Sequence, residues 1–269
     1  YADRKNIEEL KTVLNGLEFD VVFDISAYVL EDVQNITDIL EGNTGHYIFA
    51  SSTVVYAASN ILPITEDFPV DNSPNQSDYG RNKIICENFL SKLYKERHFP
   101  MTVARFSMVF GPDNMIIDRE QRMFMRLLQN RRILIPGRGS TLGQIGHVDD
   151  EARALRLMAR NPRTYGEIYN LTGKDYFSDE GYVDTCSSVV GIEPNKIFIP
   201  IDIMDMMEIS VRQTLIQKLA PYIHRWDQST IFSMKKLQDH IGYEPYYNFE
   251  SALKHTYEWF LSSNLQNER

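Results

Sequence analysis

The segment YIFASSTVVY, residues 47–56, carries the first indication of the fold. It opens with four apolar or aromatic residues and continues with Ser51, Ser52 and Thr53. A short apolar run bounded by polar residues is typical of a strand buried on both faces of a parallel sheet. Ligands of open α/β sheets bind at the carboxyl ends of the strands, so these hydroxyl groups are expected at a binding site. The alternative is that they only end the strand and cap a turn.

Segments on both sides of this strand extend the pattern. Apolar strands are predicted at 19–26, 45–52 and 101–111, and helices at 6–15, 30–41 and 79–97. Strands that alternate with helices specify a doubly wound α/β parallel sheet with right-handed crossovers. Residues 1–112 are therefore assigned to this sheet.

The second half of the chain is less regular. Short strands are predicted at 167–173 and 196–200, and helices at 118–130, 147–161, 179–190, 203–220, 233–241 and 249–262. Residues 113–269 are predicted to form a smaller α/β lobe, partly interleaved with the sheet.

Composition narrows the class of protein. The chain has 269 residues, of which 43% are hydrophobic, and a net charge of −9. This favours a packed globular protein and disfavours nucleic acid as a partner, because phosphate backbones bind to positive surfaces. Cys86 and Cys186 are predicted to be core thiols. Without a membrane-spanning run or a visible secretion signal, a cytoplasmic protein is expected.

The segment SDYGRNK, residues 77–83, places a tyrosine four residues before a lysine at the start of a predicted helix. The spacing alone is weak, because Tyr1 and Lys5 repeat it. A phenol is a poor base at neutral pH, whereas a nearby ammonium group lowers its pKa and a donated hydroxyl hydrogen lowers it further. Ser52, Tyr79 and Lys83 are therefore candidates for proton transfer to or from a carbinol.

These residues stand among ordered signatures that resemble a known family. The stretches FDVVFDISAY, YIFASSTVVY, ARFSMVFGPDN and GHVDDEARA surround the trio, and together they look like an extended short-chain dehydrogenase/reductase of the NAD-dependent epimerase/dehydratase type. The resemblance implies a Rossmann-like fold, a homodimer, and an oxidoreductase or isomerase acting on a small sugar-nucleotide or other polyhydroxylated or carbonyl substrate. It assigns catalysis to Ser52, Tyr79 and Lys83.

The same resemblance implies a nicotinamide cofactor, NAD in preference to NADP. The residues it places along that cofactor are Asp3, Arg4, Ser26, Ala27, Lys83, Phe106 and Ser107. The chain has no Gly-rich turn after a first strand, and the resemblance implies that it begins at the family's third strand. Roughly 50 residues of the cofactor cradle are then expected upstream, and this chain alone is expected to bind NAD weakly and to expose a sheet edge.

The substrate side departs from the family pattern. Thr53, Met108, Arg138 and Gln144 are its expected residues. Met108 and Gly143 stand where nucleotide-sugar enzymes commonly have Asn and Arg for the pyrophosphate, and Arg138 compensates only if its loop folds inward. Thr53 and Val54 stand where the family's dehydratases carry an Asp-Glu pair, which disfavours 4,6-dehydration.

A second interpretation comes from another branch of the resemblance. The segments IPGRGSTLGQIGHVDDEARAL and GEIYNLTG also look like the branch that includes chloroplast stem-loop RNA-binding proteins. The alternative is therefore a non-redox RNA- or nucleotide-binding protein on the same fold, against which the acidic charge and the intact trio argue. No metal site is predicted, because His147, Asp149 and Asp150 are expected to cap a helix.

Overall fold

The computed structural model describes residues 1–116, 119–207, 211, 228–263 and 265. Its strands are β1 (Val22–Asp24), β2 (Tyr47–Ser52), β3 (Met101–Phe106), β4 (Met108–Phe110), β5 (Arg132–Pro136), β6 (Leu142–Gly143), β7 (Ile145–His147), β8 (Ile168–Leu171), β9 (Phe177–Ser178) and β10 (Asn195–Ile199). Its helices are α1 (Ile7–Leu14), α2 (Leu30–Ile39), α3 (Asp78–Arg97), α4 (Glu120–Leu128), α5 (Val148–Met158), α6 (Asp179–Val190), α7 (Ile201–Met206), α8 (Lys235–Ile241) and α9 (Phe249–Ser262).

Four parallel strands form the main sheet in the order β1, β2, β3, β8. Side chains of β2 alternate between its two faces, as a strand requires. Tyr47 and Phe49 pack with Val33 of α2 and Leu90 of α3. Ile48 packs on the opposite face with residues of α5 and α8. Helices therefore cover both faces of the sheet, and the predicted parallel α/β class is confirmed.

The C-terminal part of the chain supplies β8 to this sheet and also builds a second core. That core joins α4, α6 and α9 through Phe124, Tyr182 and Phe260, all of them buried. Short strand pairs, β5 with β10 and β6 with β9, border it. None of the helices in the described part of the chain is both long and apolar enough to cross a membrane.

Most helix predictions are confirmed to within a few residues, and those at 179–190 and 249–262 coincide with α6 and α9. The predicted strand 101–111 is wrong as one element. It divides at Ser107 into β3, which lies in the main sheet, and β4, which pairs with β7. α7 overlaps the predicted helix 203–220 at 203–206, and most of the remainder of that prediction lies outside the described residues.

Candidate active site

A cavity of about 940 Å³ opens at the carboxyl ends of β2 and β3. Its walls come from those strand ends, from the N-terminus of α3 and from the second lobe. Among the predicted residues that line it are Ser52, Thr53, Tyr79, Lys83, Phe106, Ser107, Met108 and Gln144. The hydroxyl residues at the end of the strand in YIFASSTVVY therefore line a cavity, and their role in binding stays a prediction.

The N-terminus of α3 fixes Tyr79 and Lys83. Ser77 caps the helix, since its Oγ accepts a hydrogen bond from the backbone N–H of Gly80 at 3.1 Å. Tyr79 and Lys83 follow one turn apart, so both side chains face the cavity. The Lys83 Nζ lies 5.6 Å from the centre of the Tyr79 ring.

Backbone carbonyls hold the Lys83 ammonium in place. Its Nζ donates to the carbonyl oxygens of Ala27 at 2.8 Å and Ala50 at 2.6 Å, and it lies 4.7 Å from the centre of the Phe49 ring. The side chain is buried, and this burial lowers the pKa of Lys83. Two of its three hydrogens are engaged by β2 and by the loop that follows β1, which fixes the cation at the cavity wall.

Tyr79 is 40% exposed and stacks on Tyr28, with 5.8 Å between the ring centres. Partial burial raises the pKa of Tyr79 above its ordinary value, while a hydrogen bond donated by Ser52 lowers it. The pKa of Tyr79 is therefore raised overall and not lowered, because desolvation of the phenol outweighs the hydrogen bond from Ser52. The predicted influence of Lys83 on this pKa stays a prediction. The Ser52 contribution has the predicted sign.

The second Tyr-Lys pair has no such surroundings. Tyr1 is fully exposed, and the Lys5 ammonium pairs with the buried carboxylate of Asp32. Neither residue lines the cavity. The four-residue spacing therefore does not distinguish the two Tyr-Lys pairs. Their position relative to the cavity at the strand ends does.

Three of the residues expected along the cofactor do not line the cavity and lie at the β1 edge of the sheet: Asp3, Arg4 and Ser26. The guanidinium of Arg4 donates to both carboxylate oxygens of Asp24 at 2.9 Å and to Ser26 Oγ at 2.6 Å. Asp3 is exposed and accepts the backbone N–H of Lys5. Arg4 and Ser26 are thus brought together, and their role toward a cofactor stays a prediction.

Residues at the end of β3 form one cavity wall. Ser107 is buried and donates from Oγ to Thr172 Oγ1 at 2.8 Å, while Phe106 and Met108 lie on either side of it. Gln144 uses both ends of its amide on the backbone: Nε2 donates to the Gly173 carbonyl, and Oε1 accepts from the N–H of Phe232. Gln144 therefore ties the cavity wall together.

Arg138 does not reach the cavity. The loop turns at Gly137 and Gly139, whose φ values are +57° and +67°, and Arg138 is exposed between them. The condition set for Arg138, an inward-folded loop, is therefore not met. Arg119 lines the cavity instead, with Nη1 donating to the carbonyl of Val109 at 2.9 Å.

Two carboxyl groups that line the cavity were not predicted from the sequence. Glu151 is 2% exposed and Asp179 is 9% exposed, and both line the cavity. Burial raises the pKa of Glu151 well above its ordinary value and that of Asp179 to about 7. Helical spacing carried a signal for Glu151, because it lies on the same face as the buried Ala154 and Met158.

A buried ion pair supports the strand end next to the trio. The carboxylate of Glu87 accepts from Arg105 Nη2 at 2.6 Å and from Ser51 Oγ at 2.5 Å. The side chains of Glu87 and Arg105 are each 4% exposed. Because α3 carries Glu87 and β2 carries Ser51, their hydrogen bond joins the helix that bears Tyr79 to the strand that bears Ser52.

The predicted helix cap at residue 147 is confirmed: His147 Nδ1 accepts from the backbone N–H of Asp149 at the start of α5. Asp150 instead accepts the backbone N–H groups of Tyr246 and Tyr247, at 2.7 and 2.9 Å. It joins α5 to the segment before α9.

Known proteins resemble this chain in sequence and in fold. A curated relative, the chloroplast stem-loop binding protein of 41 kDa b from Arabidopsis thaliana, is 28% identical over 256 residues, covering 95% of this chain and 62% of its own. The dTDP-D-glucose 4,6-dehydratase of Homo sapiens is 22% identical over 225 residues, covering 82% of this chain and 57% of its own. The chain thus spans less than two thirds of these relatives.

Solved structures show the same fold at low identity. The UDP-glucose 4-epimerase of Thermotoga maritima, solved with UDP-glucose, has a TM-score of 0.76 at 18% identity, covering 97% of this chain and 83% of its own. The dTDP-glucose 4,6-dehydratase of Bacillus anthracis, solved with NAD, has a TM-score of 0.75 at 18% identity, covering 97% and 78%. The family model described as the NAD dependent epimerase/dehydratase family matches residues 24–172. This match covers more than half of the chain, which belongs to the NAD-dependent epimerase/dehydratase family.

Proposed function

We propose that the cavity carries out proton transfer at a carbinol or carbonyl carbon, coupled to hydride transfer with a nicotinamide cofactor. The substrate is a polyhydroxylated molecule such as a sugar nucleotide, and the net reaction is an epimerisation or a reduction. The observation that carries this proposal is the meeting of Ser52, Tyr79 and Lys83 at the carboxyl ends of parallel strands. Family membership supports it.

In this proposal Tyr79 gives or takes the proton. Ser52 donates a hydrogen bond that stabilises the phenolate, and it orients the substrate oxygen toward the same point. Lys83 is fixed by the carbonyls of Ala27 and Ala50, so its charge stays at the wall where negative charge develops. Burial of Lys83 keeps water from screening that charge.

The residues present fit the nicotinamide end of such a cofactor. Lys83 offers an ammonium hydrogen for a ribose hydroxyl, and Phe106 with Ser107 forms a wall behind a flat ring. When bound, the cofactor supplies the hydride acceptor or donor. NAD is proposed in preference to NADP, with Asp3 and Arg4 on its adenine side and Ser26 along the cofactor.

Epimerisation or reduction is favoured over 4,6-dehydration. Thr53 and Val54 follow Ser52 at the cavity wall and cannot serve as acids or bases at neutral pH. The predicted cytoplasmic location and homodimer belong to the same proposal.

The test is turnover of nucleotide sugars by the full-length gene product, followed by NMR for epimers and by absorbance for reduced cofactor. Tyr79→Phe is expected to lower turnover by at least ~100-fold, because the proton donor is lost. Tyr176→Phe is the matched control, since Tyr176 is 61% exposed and lies outside the cavity. Unchanged turnover in Tyr79→Phe would remove this residue from the mechanism.

A second candidate function rests on the Arabidopsis relative, whose name describes stem-loop binding. On this alternative the chain binds RNA or a nucleotide and performs no redox chemistry. The net charge of −9 disfavours it, because a phosphate backbone would have to bind against the overall field. Tight RNA binding with no cofactor binding would favour it over the enzyme.

A further inference from the structure

Tyr28 stacks on the ring of Tyr79, and the proposed function does not yet use it. The two ring centres are 5.8 Å apart, and the ring planes are inclined by 28°. Stacked aromatic rings at this separation stabilise each other beyond the apolar area that they bury. Tyr28 does not line the cavity, so its contact is with Tyr79 and not with the space proposed for the substrate.

The Tyr79 ring is not held by core packing. Tyr79 is the second residue of α3, is 40% exposed, and belongs to none of the buried hydrophobic clusters of the described residues. A side chain on the rim of a protein rotates about its bonds more freely than one in the core. The hydrogen bond from Ser52 fixes the hydroxyl end of the side chain, whereas Tyr28 packs on the ring itself.

Tyr28 is fixed at its backbone. It lies in the loop between β1 and α2, where Asp32 of the first turn of α2 is buried. The Oδ2 atom of Asp32 accepts the backbone N–H of Tyr28 at 2.9 Å and that of Val29 at 3.1 Å. The loop therefore offers the Tyr28 ring from a backbone that cannot easily move away.

The residue before Tyr28 contacts the other member of the pair. The carbonyl of Ala27 accepts a hydrogen bond from Lys83 Nζ at 2.8 Å. Two consecutive residues, Ala27 and Tyr28, therefore hold Lys83 and Tyr79.

We propose that Tyr28 is a positioning residue, whose ring holds the Tyr79 phenol in the orientation that proton transfer requires. Proton transfer needs the acid or base within hydrogen-bond reach of the reacting oxygen, and a small misplacement lowers the rate. This inference rests on the proposed function for the role of Tyr79, but part of its test requires neither substrate nor cofactor.

Turnover is measured on the full-length gene product and on Tyr28→Ala and Tyr28→Phe. Tyr28→Ala removes the stacked ring, and kcat is expected to fall by about tenfold, the upper end of what an aromatic pair contributes. KM is expected to stay the same, because Tyr28 does not line the cavity. Tyr28→Phe keeps the ring and is expected to retain the wild-type kcat. Tyr176→Ala is the matched control, since Tyr176 is 61% exposed and lies outside the cavity.

The mobility of the Tyr79 ring is measured separately, by NMR relaxation on protein with ¹³C-labelled tyrosine rings. The Tyr79 signal is identified by its absence in Tyr79→Phe. The ring is expected to be ordered in the wild type and in Tyr28→Phe, and more mobile in Tyr28→Ala. Tyr28→Ala keeps the backbone hydrogen bonds to Asp32, so its fold is expected to survive the change.

An equally ordered Tyr79 ring in Tyr28→Ala and the wild type would overturn the inference. So would a wild-type kcat in Tyr28→Ala, or a loss in Tyr28→Phe as large as that in Tyr28→Ala, because the hydroxyl group and not the ring would then matter. A Tyr79 ring that becomes mobile in Tyr28→Ala, in a protein that shows no turnover, would contradict the proposed function and leave the positioning role standing.

Discussion

The Lys83 ammonium lies 5.6 Å from the centre of the Tyr79 ring. Its hydrogen bonds to the carbonyls of Ala27 and Ala50 tie it to the loop that follows β1 and to the neighbouring strand β2. The cation therefore belongs to the sheet as much as to the helix that carries it. This placement keeps the charge fixed beside the phenol, where a mobile lysine would be solvated.

Lys83→Met is expected to weaken both cofactor binding and stability. The change removes the ammonium proposed for the ribose and leaves two buried carbonyls without their donor, at a cost of about 1–3 kcal/mol in the free energy of unfolding. Lys92→Met is the control, because Lys92 lies on α3 with its side chain 70% exposed. Calorimetric titration and denaturant unfolding measure the two effects, and wild-type values in both would contradict the assignment.

Ser52→Ala is expected to shift the pH dependence of turnover. The hydrogen bond from Ser52 lowers the pKa of Tyr79, so its loss raises that pKa. In the direction of alcohol oxidation, where the phenolate is the base, the rising limb of the pH profile should move to higher pH. An unmoved limb with lowered turnover would assign Ser52 to substrate orientation alone.

Glu87→Gln is expected to cost about 3–5 kcal/mol in the free energy of unfolding, because it leaves the Arg105 guanidinium buried without its counter-charge. Glu96→Gln on the same helix is the control, since the Glu96 side chain is 59% exposed. Urea unfolding gives both values. A cost below 1 kcal/mol would show that the pair behaves like a surface ion pair.

Asp179 makes stability depend on pH in a predictable direction. Its pKa is raised to about 7 in the folded chain, so the unfolded chain gives up this proton at lower pH than the folded one. The contribution of Asp179 to the free energy of unfolding is therefore complete below pH ~4 and is lost as pH rises through about 7.

Asp179→Asn removes the titrating carboxyl group, and with it the loss of stability at higher pH. The free energy of unfolding of the variant, relative to the wild type, should rise by roughly 2–4 kcal/mol between pH 4 and pH 8. Denaturant unfolding at several pH values measures it. A difference that stays constant across this range would show that the Asp179 carboxyl group is solvated.

The local sequence pattern was sufficient to predict the parallel sheet and the positions of Ser52, Tyr79 and Lys83 on it. The apolar run of β2 and the hydroxyl residues at its end already place Ser52 at a strand terminus, and helical spacing places Tyr79 and Lys83 on one face. These properties depend on near neighbours in the chain. The division of the predicted strand 101–111 depends on pairing of β4 with β7, which lies more than 30 residues away.

The polar residues of the second lobe were harder to predict. Glu151 follows two acidic residues that suit an exposed first turn, and its burial depends on Gly146 and on packing of the lobe over the sheet. The positions of Arg138 and Arg119 likewise depend on the fold and could not be predicted from neighbouring residues. The loop at Gly137 and Gly139 points Arg138 outward, whereas Arg119 lines the cavity.

The central claim is that Tyr79 and Lys83 serve a nicotinamide cofactor. Its most direct test is calorimetric titration of NAD(H) and NADP(H) into the full-length gene product and its Tyr79→Phe variant. Structured stem-loop RNA is titrated in parallel. The proposed mechanism predicts micromolar binding of one cofactor, retained in Tyr79→Phe while turnover is lost. Binding of neither cofactor, together with tight binding of the RNA, would contradict it.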